Sequence, residues 1–435
     1  MKVKKKIPPS QGLRKEINEI IEGTIKEKNN EQNPIKLLMQ KGKLLIAQEV
    51  LEKEVEEFLQ RPYYQRNKEG IPKKGYRNGY ESKKIKTTEE PLILYLPQVR
   101  DTKEPFNSRL KQFFKNNTDV LERLAIEMYI RGLSTRDIED AFIYATGERL
   151  LSKSSISKIS NILWQDYESF ISRDLSKYEV LYIVVDAVYE AIRPYVHNNE
   201  AIMVAYGILI DGRKVLLHME LGNKENYEFC KEFFRNMTKR NLNTPLAITS
   251  DGALGLIKAI EEIFPKSLRI RCWVHKIRNL ANKVPKEIWL KIKPEIEVIR
   301  DSLSFQEGEI RLKEFGRKYQ NIYPSLLKCF LDDYQSLLNV LKLPYRHRKT
   351  VRSTNLIERT FEEERRRTKI IPQFLTEKSC LKLVFSVLYR AALRWQRIPM
   401  EEFEIKEVNR LRNKLGIKIP LHIEKNIQQE VSATC

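Results

Sequence analysis

The sequence has few cysteines and no long apolar run, and each absence removes a class of protein. Five cysteines are scattered over 435 residues without a CxxC pair, which argues against a disulfide-stapled secreted scaffold and predicts a reducing compartment. No apolar stretch approaches the ~20 residues that cross a bilayer. The basic start MKVKKKIPPSQ is not followed by a signal-peptide apolar segment. We therefore expect a cytoplasmic protein without a membrane partner.

Negative charge is also in short supply. Lys and Arg number 79 against 58 Asp and Glu, a formal net charge of +21. Such an excess predicts a polyanionic partner, with nucleic acid first, although solubility or a lysine-rich genome composition would also account for it. The length allows roughly three domains of ordinary size.

The N-terminal part of the chain predicts a basic region with one long helix and a β-hairpin. Residues 1–33 are polar and poor in large apolar side chains, so we expect a mostly disordered arm. Residues 34–115 begin with apolar residues at helical spacing and reach LILYLP, predicted to be a strand ended by Pro97. Lysine and arginine interleave there with Tyr76 and Tyr80, a pattern typical of either a phosphate-backbone contact or an ordinary turn.

Residues 116–170 predict three short helices. The first ends at Gly132, the second opens at Ser134, and the third, SKSSISKISNILW, begins at a serine cap. Two interpretations fit this pattern equally well. One is a packing unit that contacts no DNA, and the other is a helix-turn-helix that turns three residues toward DNA: Lys153, Ser155 and Lys158.

The pattern then changes to buried strands and predicts a mixed α/β core. VLYIVVD is a continuous apolar run, typical of a strand buried on both faces, and two more strands follow across the hairpin signal Asp211-Gly212. Two helices then alternate with LAITSD and LRIRCWVH, so residues 171–276 predict the order β-β-β-α-β-α-β. Residues 277–350 are helical throughout, as an insertion would be. A further long helix dominates residues 351–410, before a tail at 411–435.

Two aspartates, Asp186 and Asp251, end the first and fourth predicted strands. Each alone is more typical of a turn, but ligand sites of open α/β sheets lie beyond the carboxyl ends of strands. Two carboxylates at ~4 Å would repel by about 1–4 kcal/mol, and divalent cations remove that repulsion. The pair therefore predicts a site for two Mg²⁺ ions, with Mn²⁺ as a substitute, of the kind that promotes phosphoryl transfer.

Several motifs, in this order, resemble the Mutator-type transposases of bacterial insertion sequences, a branch of the DDE transposases. The matching motifs are YRNGY, PQVRD, RGLSTRDI, DAVYEAIR, SDGALGLIKAIEEIFP, RCWVHKIRNL and STNLIERTFEEERRR. The resemblance runs from about residue 35 to about residue 400. It implies a ribonuclease H-like catalytic core interrupted by the helical insertion, with an acidic metal-binding triad formed by Asp186, Asp251 and Glu358.

The resemblance also implies residues that support the triad. It places a C-x-x-H pair, Cys272 and His275, after the second aspartate. No second Cys/His pair lies at zinc-ligand spacing, so we prefer a site-supporting role to metal binding. Arg193 and Arg278 match positions able to meet DNA phosphate, with surface ion pairs as the alternative.

The segment STNLIERTFEEERRRTK offers a second interpretation of the third acid. Asn355 followed three residues later by Glu358 resembles a helix capping box, and Glu362, one turn on, is the substitute ligand to test. We expect Glu363 and Glu364 to face solvent or to pair with arginines. Between residues 342 and 369 ten Lys/Arg stand against four Glu, which favours DNA backbone contacts by Arg365, Arg366 and Arg367.

The expected function is DNA transposition by a homo-oligomer on paired DNA ends, associated with the nucleoid of a prokaryotic cell. The protein would bind the terminal inverted repeats, cut a phosphodiester with Mg²⁺, and transfer the freed 3′-hydroxyl to target DNA. Two alternatives stay open: a ribonuclease H-fold nuclease that cuts without joining, and a DNA-binding derivative that has lost catalysis.

Overall fold

The chain forms two compact units, Met1–Ser160 and Asn161–Cys435. Their division falls inside the predicted segment 116–170, because the third predicted helix is interrupted near Ser160. The computed structural model describes residues 2–3, 7–25, 33–65, 75–87, 91–113, 117–192, 200–222, 226–369, 371 and 374–418.

The first unit combines helices with a small antiparallel sheet of order β1-β2-β3 in its described residues. Its elements are β1 (Lys2–Val3), α1 (Pro9–Ile25), α2 (Pro34–Leu59), β2 (Tyr76–Ile85), β3 (Leu92–Arg100), a 3₁₀ turn (Leu110–Phe113), α3 (Asp119–Ile130), α4 (Thr135–Thr146) and α5 (Lys153–Ile159).

The prediction of a disordered arm at residues 1–33 is wrong for the stretch that forms α1. Leu13, Ile17 and Ile20 are half-buried at helical spacing, a weak periodicity that the polar composition obscured. Helix α1 packs against α2, and three polar pairs join the two helices: Ser10–Glu52, Arg14–Glu49 and Glu16–Lys41.

The prediction that the strand LILYLP ends at Pro97 is wrong, because β3 continues to Arg100. Pro97 is paired with Tyr80, where the β2–β3 register shifts. Proline cannot donate a ladder hydrogen bond and is tolerated at such irregularities, so the strand passes through it.

Helices α3–α5 surround an apolar cluster that includes Leu121, Ile138 and Ile156. Ser134 caps α4 in a capping box with Asp137, and Ser152 caps α5, as the serine signals predicted. This packing agrees with both interpretations of the segment, the helix-turn-helix and the unit that contacts no DNA.

The second unit is built on a mixed sheet, which confirms the mixed α/β class. In the described residues the strand order is β6-β5-β4-β7-β8; β4, β5 and β6 are antiparallel, whereas β7 and β8 run parallel to β4. Helix α6 (Ile162–Ser172) precedes the sheet. The predicted β-β-β-α-β-α-β order then follows as β4 (Val180–Glu190), β5 (Glu200–Leu209), β6 (Lys214–Gly222), α7 (Tyr227–Lys239), β7 (Ala247–Ser250), α8 (Leu254–Ile263) and β8 (Leu268–Arg271).

The central strand β4 is buried on both faces. Every residue from Val180 to Val185 is fully buried, which accounts for the uninterrupted apolar run. Ile183 and Val185 belong to the cluster that contains α7 and α8 residues, whereas Tyr182 belongs to the cluster formed with the later helices. Asp186 is therefore the first acidic residue of the strand after its buried apolar run.

After β8, all the regular elements of the described residues are helical, including one 3₁₀ turn. The predicted single long helix of residues 351–410 is divided into α15 and α16, because Thr376 opens α16 with its own capping box. The elements are α9 (Trp273–Ala281), α10 (Lys286–Arg300), α11 (Phe305–Tyr319), α12 (Pro324–Leu331), α13 (Tyr334–Leu338), a 3₁₀ turn (Asn339–Lys342), α14 (Tyr345–Val351), α15 (Asn355–Thr368), α16 (Glu377–Leu393) and α17 (Glu402–Leu415).

Helix α17 crosses the predicted limit at residue 410, and residues 419–435 of the predicted tail lie outside the described residues. Of the helices described here, none combines the length and the apolar character that a bilayer crossing requires.

Candidate active site

Parallel pairing of β4 and β7 brings two aspartates to one edge of the sheet. Val184 pairs with Thr249, and Asp186 and Asp251 each lie two residues further along their chains. Adjacent strands are ~4.8 Å apart, so the two backbones reach this edge at the same level. The strand-end prediction is confirmed for Asp251, which follows the last residue of β7, but it is wrong for Asp186, because pairing with β5 continues β4 to Glu190.

Short local hydrogen bonds hold both aspartates. Asp186 is 5% exposed, and its Oδ1 accepts a hydrogen bond of 2.9 Å from the Ala187 amide. Asp251 is half-buried, and its Oδ1 accepts from the Ala253 amide at 3.2 Å, as an aspartate opening a turn does. One carboxylate is thus nearly enclosed by the sheet, whereas the other opens the loop before α8.

Helix α15 brings Glu358 to this edge, and α9 brings His275. Asp186, His275 and Glu358 each offer one ligand atom, and the three atoms lie within 4.8 Å of one another. Ligands 2.0–2.1 Å from one Mg²⁺ are at most about 4.2 Å apart, so a small closure would let this group surround a cation. The donor atoms therefore fit a divalent ion.

The structure brings together two of the three predicted acids, with a histidine beside them. The carboxylate of Asp251 does not belong to this group. Among the described residues, no other set of three His, Cys, Asp or Glu side chains brings its ligand atoms within 4.8 Å of one another. The pKa of His275 is nonetheless raised, first by the nearby Cys272 thiol and further by the negative charges of Asp186 and Asp251. Asp251 thus acts on the site electrostatically.

Cys272 precedes the first residue of α9 and contacts Thr354, which precedes the first residue of α15. Its side chain is fully buried, its Sγ accepts from the Thr354 amide at 3.4 Å, and the Thr354 hydroxyl lies 3.5 Å away. Burial acts to raise the pKa of the thiol, but the contacts with His275 and Thr354 outweigh it and hold the pKa below its ordinary value. These contacts agree with a supporting role.

Arg278 forms an ion pair with Glu358. Two guanidinium nitrogens lie 3.3 and 3.5 Å from the two carboxylate oxygens, while His275 Nε2 lies 3.9 Å from Oε1. His275 and Arg278 are three residues apart on α9 and so share a face. Of the two roles expected for Arg278, the structure shows the ion pair, with the predicted catalytic glutamate as its partner.

Glu358 lies in the first turn of α15, but the capping-box interpretation is wrong. Asn355 is the first helical residue, and the residue before it, Thr354, makes no side-chain capping hydrogen bond. Glu362 is exposed and outside the group of three.

The next two glutamates differ from each other. Glu363 pairs with Arg366 at 2.5 Å and with Arg367 at 2.7 Å, as expected. Glu364 is fully buried, so the expectation that it faces solvent or an arginine is wrong, because its position in the helix turns it toward β4.

The predicted DNA-contact residues are exposed to different degrees. Arg365 and Arg366 are exposed and Arg367 is half-buried. Lys153 and Lys158 are exposed on α5, whereas the Ser155 hydroxyl lies 2.9 Å from that of Ser152 within the helix cap. Arg193 lies outside the described residues.

Sequence reasoning missed a contact behind Asp251. A Cβ atom on Gly252 would lie 1.7 Å from Cζ of Arg271, and this arginine is only 8% exposed, 3.9 Å from Asp333. The glycine therefore leaves room for a buried guanidinium under the Asp251 turn. Gly252 lies in the motif SDGALGLIKAIEEIFP and Arg271 begins the motif RCWVHKIRNL, but the spacing of the two residues does not reveal that they are in contact.

Acidic side chains at one edge of the sheet, with exposed arginines on the same helix as Glu358, are of the kind found in enzymes that act on nucleic acids. The chain belongs to the Mutator family of transposases, since the family profile described as "Transposase, Mutator family" matches residues 18–398.

Individual relatives agree with this family. The transposase for insertion sequence element ISRM5 of Rhizobium meliloti (strain 1021) is 31% identical over 351 residues, which cover 80% of this chain and 86% of the relative. The transposase for IS6120 of Mycolicibacterium smegmatis is 31% identical over 62% of this chain and 84% of its own. The transposase for IS1201 of Lactobacillus helveticus is 29% identical over 80% and 93%.

Proposed function

We propose that this chain is a DDE transposase that cuts DNA at the ends of an insertion sequence and joins those ends to target DNA. The observation that carries the proposal is the group formed by Asp186, His275 and Glu358 within 4.8 Å, with Asp251 at the same level on the adjacent strand. Family membership supplies the transposase class, and the geometry supports an acid-based site.

We assign the sheet to the ribonuclease H-like class. The sequence resemblance implies that core, and the observed order of three antiparallel strands followed by two parallel ones agrees with it. The helices between β8 and α15 would then be the insertion within the core.

The three acids, Asp186, Asp251 and Glu358, would hold two Mg²⁺ ions, or Mn²⁺ in their place. Bound metal ions supply Lewis-acid activation of the attacking hydroxyl and stabilise the leaving oxygen. Because Mg²⁺ prefers oxygen ligands, we assign His275 to orient Glu358, with Cys272 fixing its helix. Arg278 would leave Glu358 when a cation replaces it there and would then be free to contact the DNA phosphate.

The same residues would act in two successive transfers. Water attacks the phosphorus at the element end, the bond to the 3′-oxygen breaks, and a 3′-hydroxyl is released. That hydroxyl then attacks a target phosphorus, forms a new phosphodiester and releases the target's own 3′-hydroxyl. The cationic residues of α15 would hold the DNA backbone, and helices α3–α5, through Lys153, Ser155 and Lys158, would read the terminal repeats as part of a homo-oligomer.

A strand-transfer assay with pre-cut ends, taken from the DNA flanking the gene, tests the proposal. We expect joined product that requires Mg²⁺ or Mn²⁺. Cleavage of intact ends without any joined product would instead identify a nuclease, and a lack of both reactions would identify a DNA-binding derivative.

A further inference from the structure

A groove lies beside the acidic group, at the end of strand β4. Its volume is about 560 Å³, within the ~300–1,000 Å³ of typical ligand sites. We call it the end groove, and its lining includes Tyr189, Glu190, Glu362, Arg365, Arg366 and Lys369.

The end groove continues both elements that carry the acidic group. Tyr189 follows Asp186 by three residues on β4, a distance of about 10 Å along a strand, and strand alternation turns the two side chains to opposite faces. Because β4 continues beyond the last residue of β7, DNA at Asp186 would reach Tyr189 around this edge of the strand. Arg365 follows Glu358 by seven residues on α15, also about 10 Å along a helix. Successive nucleotides of one DNA strand are ~3.4 Å apart, so a strand with a phosphate at the acidic group would reach the groove within about three nucleotides.

Tyr189 is an unusual residue for its position. The neighbouring Val188 is 1% exposed, whereas the ring of Tyr189 is 50% exposed. A large aromatic ring left half-open in a groove with cationic residues provides what single-stranded DNA requires: a surface for a base and charges for the backbone.

The groove is lined by side chains of both charges, with Arg365, Arg366 and Lys369 beside Glu190 and Glu362. Arg365 is exposed and forms no ion pair with a described residue, and Arg366 is 72% exposed, so both can meet phosphate. Glu362 is exposed as well. Its carboxylate disfavours a phosphate beside it but can accept hydrogen bonds from the amino group of a base.

We propose that the end groove binds an unpaired nucleotide next to the cleaved phosphodiester, with Tyr189 stacked on its base and the arginines on its phosphates. The inference rests on the proposed function and adds the state of the DNA end. A paired base is covered by its neighbours in the duplex and offers its face to no side chain, so the tyrosine ring has a use only where the end is opened.

The test compares two DNAs that share one duplex. One is blunt, and the other carries an unpaired 3′ tail of about three nucleotides with 2-aminopurine as the reporter base. Binding is measured without divalent cation, so that no cleavage occurs. We expect the wild type to prefer the tailed DNA by about five-fold or more, since removal of a stacking ring typically costs that much.

Variants separate the ring from the charges. Tyr189→Ala should lose the preference for the tail while it keeps its affinity for blunt DNA, whereas Tyr189→Phe should keep both. Tyr345→Ala is the matched control, because Tyr345 is 70% exposed in the same unit and does not line the groove. Arg365→Ala should weaken binding of the tailed DNA more than that of blunt DNA, because its phosphate contact lies on the unpaired nucleotide, while the 2-aminopurine signal at saturation is kept.

Two results would overturn the inference: a wild type without preference for the tail, or a Tyr189→Ala variant that retains the preference and the 2-aminopurine signal. Neither result would affect the proposed function, whose failure appears as missing strand transfer by the wild type. Absence of binding to either DNA would overturn both.

Discussion

Strand β4 meets helix α15 at two pairs of acidic residues, and the pairs are built for different partners. Asp186 and Glu358 approach each other, with His275 and the Arg278 guanidinium next to Glu358. Further along both elements, Glu190, which is half-buried, faces Glu364, which is fully buried. The first pair is open to an exchangeable cation, whereas the second has burial and a proton to relieve its repulsion.

The pKa of Glu364 expresses this difference. Burial, followed by the negative charge of Glu190, raises it to about 9, and burial also raises the pKa of Glu190. The Thr368 hydroxyl lies 3.3 Å from Glu190. The positive charge of Arg365 lowers the pKa of Glu364 and so opposes part of the shift. The thiol of Cys380 is also nearby, and its pKa is raised by burial and by the charges of Glu190, Glu364 and Glu200. The same residue type thus has a structural role at one end of the contact and a proposed metal-binding role at the other.

The largest effect is expected from neutralising the open pair. Asp186→Asn or Glu358→Gln should reduce strand transfer by about a thousand-fold or more, because a lost charged ligand is not replaced by an amide, while DNA binding persists. Glu314→Gln, at an exposed position on α11 outside both the acidic group and the end groove, is the control and should retain joining. Near-normal joining by Asp186→Asn or by Glu358→Gln would remove that residue from the mechanism.

Glu364→Gln tests the buried pair through the pH dependence of stability. The unfolded carboxyl loses its proton near its ordinary pKa of 4.5, whereas in the folded protein the pKa is raised to about 9. Because the folded state binds the proton more tightly, wild-type stability should fall as pH rises between these values.

The variant cannot ionise and should lose much of this slope. Between pH 6 and pH 8 one proton at about 1.4 kcal/mol per pH unit sets a limit of about 3 kcal/mol on the extra unfolding free energy that the wild type loses relative to Glu364→Gln. We expect about 1–2 kcal/mol, because Glu190, whose pKa is also raised, keeps part of the pH dependence in the variant. Chemical denaturation at several pH values measures the difference, and parallel curves for the two proteins would contradict it.

Part of this comparison could be predicted from the sequence. Asp186 ends an apolar run long enough to mark a central strand, and the family motif singled out Glu358 among four glutamates. The role of Glu364 could not be predicted, because it depends on which face of α15 meets β4, and a helix rich in Glu and Arg shows no clear apolar stripe. The Gly252–Arg271 contact and helix α1 were missed for the same reason: tertiary packing, and not local pattern, determines them.

Gly252→Ala tests whether the edge of the sheet positions Asp251. The added Cβ would displace the buried Arg271 guanidinium, so we expect a loss of about 1–3 kcal/mol of stability, together with reduced strand transfer. Gly42→Ala is the control, because nothing lies within 4 Å of the Cβ position there and alanine favours the helix. Equal melting curves for Gly252→Ala and the wild type would show that the turn does not need the glycine.

Arg278→Ala should give the smallest effect on the open pair. The ion pair with Glu358 is 59% exposed on the arginine side, and exposed pairs contribute less than about 1 kcal/mol. We therefore expect Mn²⁺ affinity to rise by about two- to five-fold, while DNA affinity falls. An unchanged Mn²⁺ affinity would show that Arg278 does not compete with the cation.

The most direct test of the central claim is a Mn²⁺ titration followed by electron paramagnetic resonance, with no DNA present. The wild type and Glu364→Gln should bind Mn²⁺ alike, whereas Asp186→Asn and Glu358→Gln should lose most of the binding. Full Mn²⁺ binding by both Asp186→Asn and Glu358→Gln, or its loss in Glu364→Gln alone, would contradict the assignment of the open pair to the metal and the buried pair to the fold.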